Sequence, residues 1–385
     1  MRLQHTIASA KRIPLWFLEH ITDNFSEERI IGYGGFGVVY KGILDNGHVI
    51  AVKKIRSNGE LGEAQFKNEL MIHLRGVQHE NIVQLVGYCD DRRNIFAEYE
   101  GEIVLAAVEE RALCLEYMPG GSLDGHLSDE SCGLEWPPRY EIIKGICEGL
   151  KYLHTAFKGC IYHLDLKPAN ILLDKNMRPK IGDFGTSILL GSMQTCITET
   201  ITGTFGYMPP EYIDYQEISP KFDIFSLGRT MIQVIAGQEG YEKCADMPHQ
   251  QFIEHVHENW GSRLGAAMSW YTSWQVKACI KIALRCLKYN QVNRPTITEI
   301  VNELNGITKT EIVNEQKKII KIICCLLFVP SDAMFYRVLA CEAVPLSRLQ
   351  FIEHEHENWG SKLGAGMSWH KDMHPNRLRS VQGCF

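Results

Sequence analysis

Residues 30–56 read IIGYGGFGVVYKGILDNGHVIAVKKIR, and the fold turns on what flanks their glycines. Apolar and polar residues alternate on both sides of the glycine-rich stretch, and Asp45-Asn46-Gly47 supplies the turn chemistry of a hairpin. Gly32, Gly34 and Gly37 therefore lie between two strands. A dinucleotide-binding fold needs a helix after its glycines, so this pattern argues against one. A glycine hairpin lets backbone amides approach phosphates without side-chain interference. Val39 follows at an offset that can cover a flat base, and Lys53, in the run Ala51-Val52-Lys53, arrives on the next strand.

Outward from this segment the patterns change. Residues 63–75, EAQFKNELMIHLR, set Phe66, Leu70 and Leu74 at helical spacing, and NIVQLVGYC (81–89) and ALCLEYM (112–118) read as strands. Between them DDRRNIFAEYEGEIVLAAVEER (90–111) is too long for a tight hairpin and mostly polar in its first half, which predicts a surface insertion with some strand of its own. After GGSLDGHL (120–127) come long helical periods at 139–157, 223–237 and 274–289. The expectation is an α+β, bilobal chain: a β-rich N-lobe over 30–118 and a mostly helical C-lobe over 119–304, with a seam at Pro119-Gly120-Gly121. Residues 1–29 form a flank and 305–385 a tail. QFIEHVHENWGSRLGAAMSW at 251–270 returns at 350–369 as QFIEHEHENWGSKLGAGMSW with three changes, a partial duplication rather than a periodic array.

The 385 residues are 45% hydrophobic and 22% charged with a formal net charge of -6, a globular composition that gives no electrostatic argument for a nucleic-acid partner. Thirteen cysteines without a CxxC pair, and no signal peptide, predict reduced thiols in a cytoplasmic setting. The apolar run IIKIICCLLFV (319–329) contains Lys321 and is shorter than the ~20 residues that cross a bilayer, so no transmembrane segment is expected. Arg2 and the terminal GCF give neither usual lipidation signal. His255 with His257, and His354 with His356, lack HExxH spacing and read as surface helix positions rather than metal ligands.

HLDLKPAN (163–170) gathers Asp165, Lys167 and Asn170 between the apolar runs KGCIYHL and ILLD. Taken alone it could be a turn. The ordered set GxGxxGxV, AxK, a helical Glu69, HxDLxxxN and DFG (183–185) is a protein-kinase signature whose chance assembly is negligible. With ITDNFSEERIIGYGGFGVVYKG, LEYMPGGSLD, GTFGYMPPEY and NRPT, residues 12–304 resemble the kinase domain of plant receptor-like kinases, in the group related to Pelle and interleukin-receptor-associated kinases.

That resemblance implies an ATP- and Mg²⁺-dependent serine/threonine kinase in receptor-linked, defence-type signalling, with a protein substrate and a membrane receptor or co-receptor kinase as partners. Lys53 would hold phosphates and pair with Glu69, Asn170 and Asp183 would coordinate Mg²⁺, and Asp165 with Lys167 would handle the substrate hydroxyl. Gly32, Gly34, Gly37, Val39, Ala51, Glu116 and Met118 would bind ATP, Leu115 guarding the pocket behind the base. His163 and Phe184 would stack, Asp223 would anchor the catalytic loop, and Glu211 would pair with Arg294. Three departures stand out: Leu164 replaces the family's arginine, Thr186 follows DFG where a bulkier apolar residue is expected, and PPE replaces APE. Leu164 cannot clamp a phosphate, so activity should depend little on a phosphorylated activation segment, although Ser192, Thr195, Thr198, Thr200 and Thr202 are candidate acceptors. The binding-module alternative is a pseudokinase scaffold, against which the intact Lys53, Asp165, Asn170 and Asp183 argue.

Overall fold

A computed structural model describes residues 11–306 except 36, 57–59, 128–132 and 192–194. Ser192, the tail and the second repeat copy lie outside the described residues. The N-terminal part is a six-stranded sheet in the order β1-β5-β6-β4-β3-β2. Its members are β1 (Lys11–Arg12), β2 (Ile30–Gly34), β3 (Gly37–Ile43), β4 (Val49–Ile55), β5 (Leu85–Tyr99) and β6 (Glu102–Glu116). Gly47, at φ +80°, closes the hairpin between β3 and β4 at the expected Asp-Asn-Gly turn.

Side chains alternate across β4, and this alternation places the first site residue. Ile50 and Val52 point to one face, where α1 (Leu15–Ile21) contributes Leu15, Leu18 and Ile21 to the same cluster. Ala51 and Ile55 point to the other, where α2 (Glu60–Leu74) contributes Phe66 and Leu70. Lys53 shares that second face, and so does Glu69 on α2.

Residues 90–111 depart from the expected insertion. Both strands run through it, paired from Leu85–Leu115 to Tyr99–Glu102 with one register shift between Leu85 and Gly87, and turn at Glu100-Gly101 with φ of +51° and +85°. Two of the polar pairs that suggested a loop are cross-strand complements, Asp90 facing Arg111 and Arg92 facing Glu109, while Asp91, opposite Glu110, pairs with Arg12 at 2.8 Å. Opposite charges in register stabilise a ribbon, so the segment is a tight-turned hairpin after all.

The C-terminal part is helical. Its core gathers α3 (Trp136–Thr155), α5 (Phe222–Ala236), α7 (His249–Leu264), α8 (Trp270–Cys286) and α9 (Ile297–Gly306), while α4 (Pro210–Tyr215) and α6 (Gly240–Ala245) are short. Phe252, Ile253, Val256 and Trp260 bury the apolar stripe of α7, so the first repeat copy packs into this lobe. Two small sheets prepare the site. The strand β7 (Gly121–Ser122) joins β9 (Ile171–Leu173) and β10 (Pro179–Ile181); β8 (Gly159–Tyr162) pairs with β11 (Ile188–Gly191). The loop 163–170 links β8 to β9, and residues 182–187 link β10 to β11. Pairing both sets of strands brings the two loops side by side. A further pair, β12 (Cys196–Ile197) with β13 (Glu217–Ile218), holds the activation segment.

Candidate active site

At the glycine hairpin, Gly34 faces Gly37 across β2 and β3. A Cβ on Gly37 would run into the Lys54 carbonyl, so local packing demands glycine there. Among the described residues nothing lies within 4 Å of such a Cβ at Gly32, and the nearest atom at Gly34 is 3.7 Å away. Neither has a positive φ. The fold itself does not require glycine at these two positions, so their bareness is free to admit a ligand. Beneath them Val39, Ala51, Leu115 and Leu172 belong to one apolar cluster, a surface suited to a flat ring.

Lys53 Nζ lies 2.7 Å from Glu69 Oε2 and 2.7 Å from Asp183 Oδ1. Burial alone would push the ammonium down, but the two carboxylates outweigh it and hold Lys53 above its ordinary value. Burial raises Glu69, and the Lys53 charge only partly offsets this. For Asp183 the same charge overcomes burial and keeps the carboxyl below its usual range. A fixed cation between two carboxylates is the result, aimed by β4, α2 and the loop after β10.

Asp165 is 8% exposed and fully engaged. Thr204 Oγ1 donates to its Oδ1 at 2.6 Å, and Asn170 Nδ2 donates to its Oδ2 at 2.9 Å. Lys167 Nζ sits 2.9 Å from the same Oδ2 and donates to Thr204 Oγ1 at 2.6 Å. Gly182 N donates to the Asn170 carbonyl at 2.9 Å, which sets Asn170 beside Asp183. Their oxygen donors form a hard set that suits Mg²⁺.

Asp223, at the start of α5, holds the loop 163–170 by its backbone. Its two oxygens accept from the amides of His163 and Leu164, both at 2.9 Å, and from His154 Nε2 at 2.9 Å. Burial would raise Asp223, but the His154 hydrogen bond and charge prevail and its carboxyl is lowered. Leu164 and Asp183 occupy the left-handed region at φ +63° and +62°. Such non-glycine strain costs ~1–3 kcal/mol and persists only where neighbours over-determine it. The bond from Leu164 N to Asp223 is one such constraint.

The Phe184 ring lies edge-on to His163 at 5.2 Å and to His73 at 5.3 Å, while His163 Nε2 contacts the Gly182 carbonyl at 2.9 Å. Glu211 and Arg294 form a buried two-pronged pair at 2.6 and 2.7 Å. Glu116 carries its side chain to Lys180 at 2.8 Å, its amide bonds Gln84, and Met118 is buried beside it. Leu164 is 2% exposed in a cluster with Tyr162, Met208, Tyr212, Ile218 and Phe222, against which Ile188, Leu190 and Cys196 of the activation segment pack. Thr186 and Ser187 both donate to the His163 carbonyl, at 3.1 and 3.3 Å, which uses the hydroxyl where a bulkier apolar residue was expected. His257 bonds Ser273 and His255 bonds Asn259, contacts of an ordinary helix surface.

Three participants escaped the sequence reading. Thr204 bridges Asp165 and Lys167, Asn68 donates to the carbonyls of Phe184, Gly185 and Ser187, and His73 extends the ring stack. Thr204 lies within the quoted GTFGYMPPEY and Asn68 directly precedes Glu69, so position within known motifs was the available signal.

The protein kinase domain family pattern matches residues 25–304. Cysteine-rich receptor-like protein kinase 26 of Arabidopsis thaliana is 38% identical over 74% of this chain and 42% of its own length. From the same organism, the G-type lectin S-receptor-like serine/threonine-protein kinase RKS1 is 34% identical over 78% of this chain and 35% of its own. SRK, of the same G-type lectin description, is 36% identical over 73% and 33%. The chain thus spans less than half the length of these curated relatives.

Proposed function

The chain belongs to the protein kinase domain family, and from that premise we propose that it transfers the γ-phosphate of ATP to serine or threonine hydroxyls of protein substrates. The observation that carries this reading is Lys53 held at 2.7 Å by both Glu69 and Asp183. A lysine so fixed presents its charge to phosphate oxygens without reorganising. Gly32 and Gly34 leave room for the phosphate chain, and Val39, Ala51 and Leu115 with the strand end at Glu116 and Met118 receive the base.

Asn170 and Asp183 would hold Mg²⁺, which neutralises charge on the phosphates when bound. Asp165 orients the substrate hydroxyl and accepts its proton, and Lys167 adds positive charge where the transferred group arrives. Thr204, bonded to both, fixes their spacing. The scaffold alternative gains nothing from a site whose lysine, aspartates and asparagine are all in place.

The domain reading is a kinase domain over 30–304, with residues 11–29 packed on its sheet. The relatives' names support a receptor-like kinase, and the motif resemblance with Leu164 supports the finer placement: the Pelle and interleukin-receptor-associated group, without the arginine before its catalytic aspartate. It would act on the cytoplasmic side with a receptor or co-receptor kinase. Among the described residues no helix is long and apolar enough to cross a membrane. Labelled ATP tests the chemistry. Transfer to the chain itself or to a basic protein substrate is expected, and Asp165→Asn should abolish it; equal labelling by both proteins would sink the assignment.

A further inference from the structure

The hairpin of β5 and β6 extends well past the sheet that anchors it. Pairing with β4 covers only Ala112–Glu116 of β6, and pairing with β1 covers only Gly87 and Tyr88 of β5. Ion pairs secure the base: Arg93 with Glu19 and Glu110 at 3.4 and 3.3 Å, Lys54 with Glu110 at 3.1 Å, and Arg111 with Asp90 at 3.2 Å. Beyond them, Phe96 faces Leu105 and Glu98 faces Ile103. Alternation puts these four side chains on one face of the ribbon. Phe96 and Ile103 are each 79% exposed and Leu105 is 61% exposed.

A contiguous apolar strip left in water marks a contact surface, because a solitary ribbon gains nothing from displaying it. Its electrostatics select the occupant. Residues 94–107 contain Glu98, Glu100 and Glu102 and no lysine or arginine. That field repels nucleic-acid phosphates and anionic lipid headgroups and attracts cationic side chains. We propose that the hairpin tip docks a partner polypeptide segment in which aliphatic or aromatic side chains alternate with lysine or arginine. Paired along the ribbon edge, the partner sets its apolar side chains on the face of Phe96, Ile103 and Leu105 and its cations on the reverse face with Glu102, while Glu98 and Glu100 add to the acidic field at the tip. An extended ribbon with open edges also offers main-chain groups to such a segment.

Fluorescence anisotropy on the full chain tests this with two labelled synthetic peptides, one alternating lysine with valine and isoleucine, the other carrying glutamate in place of lysine. The lysine peptide should bind about tenfold tighter or more, a preference worth roughly 1.4 kcal/mol. F96S/L105S should lose that binding, and E98K/E100K/E102K should reverse the preference. Asp165→Asn should bind as wild type does, which separates docking from phosphotransfer. Equal binding of both peptides, or lysine-peptide binding unchanged in both hairpin variants, would overturn the proposal. So would equally tight binding to phosphatidylserine vesicles, or a sedimenting dimer abolished by F96S/L105S, which would make a second copy the occupant.

Discussion

At the scale of single residues, Leu164 and His73 carry the sharpest consequences. Leu164 is buried among apolar neighbours that include the activation segment, so at this position hydrocarbon contact rather than charge holds that segment. Phosphatase treatment is therefore expected to leave most phosphotransfer activity intact, and a collapse to background would contradict the reading. His73 is buried against Phe184, and burial, with a smaller push from the Lys53 charge, lowers it to about 4. The unfolded side chain titrates near 6.5, so below that pH the unfolded state binds the extra proton. Stability from this residue is whole above roughly pH 6.5 and is lost as the pH falls toward about 4. His73→Met should remove this acid sensitivity, a difference of about 2–3 kcal/mol between urea melts at pH 7 and near 4.5. The positions of Lys53, Glu69, Asp165, Asn170 and Asp183 were legible because their spacing is set by short local elements. His73 and Thr204 were not, since their roles appear only when distant chain segments meet: Thr204 reaches Asp165 across 39 residues.

At the scale of elements, the glycine hairpin and the helix of Glu69 could be read from alternation and helical period, while the long hairpin was misjudged. Its base is so rich in charge that composition reads as loop, and only register reveals that Asp90 opposes Arg111 and Arg92 opposes Glu109. Tip and base are also distinct in purpose: ion pairs tie the base to the lobe, and the tip projects apolar groups. Replacing residues 94–107 by Asn-Gly joins Arg93 to Val108, which already face one another, through a two-residue turn. The melting temperature should stay within roughly 2 °C of wild type, as exposed segments contribute little, and self-labelling should persist. Loss of folding on differential scanning calorimetry would show instead that the tip is part of the lobe.

For the whole molecule, the order of motifs made the α+β, two-lobed plan readable, because each motif needs the others at fixed places in one fold. Pairings that close the plan, such as Glu211 with Arg294 across 83 residues, followed from the resemblance and not from periodicity. The site draws Lys53 and Glu69 from the sheet lobe and Asp165, Asn170 and Asp183 from the helical lobe, so nucleotide should stabilise the chain as one unit. At about a hundredfold over its dissociation constant, Mg²⁺-ATP should add ~2.7 kcal/mol and raise the melting temperature by roughly 5 °C. EDTA or Asp183→Asn should remove the metal-dependent share; shifts unchanged by either would refute the assignment of Asn170 and Asp183.

Asp223 grips residue 164 by its amide and not by its side chain. Every amino acid except proline carries that amide, so the anchor is blind to which residue occupies the position. A lineage could therefore exchange arginine for leucine, with compensating changes in the pocket around it, while the catalytic loop kept its shape. What residue 164 packs against and how its loop is held are in this sense separately heritable, the first set by its side chain and the second by its backbone.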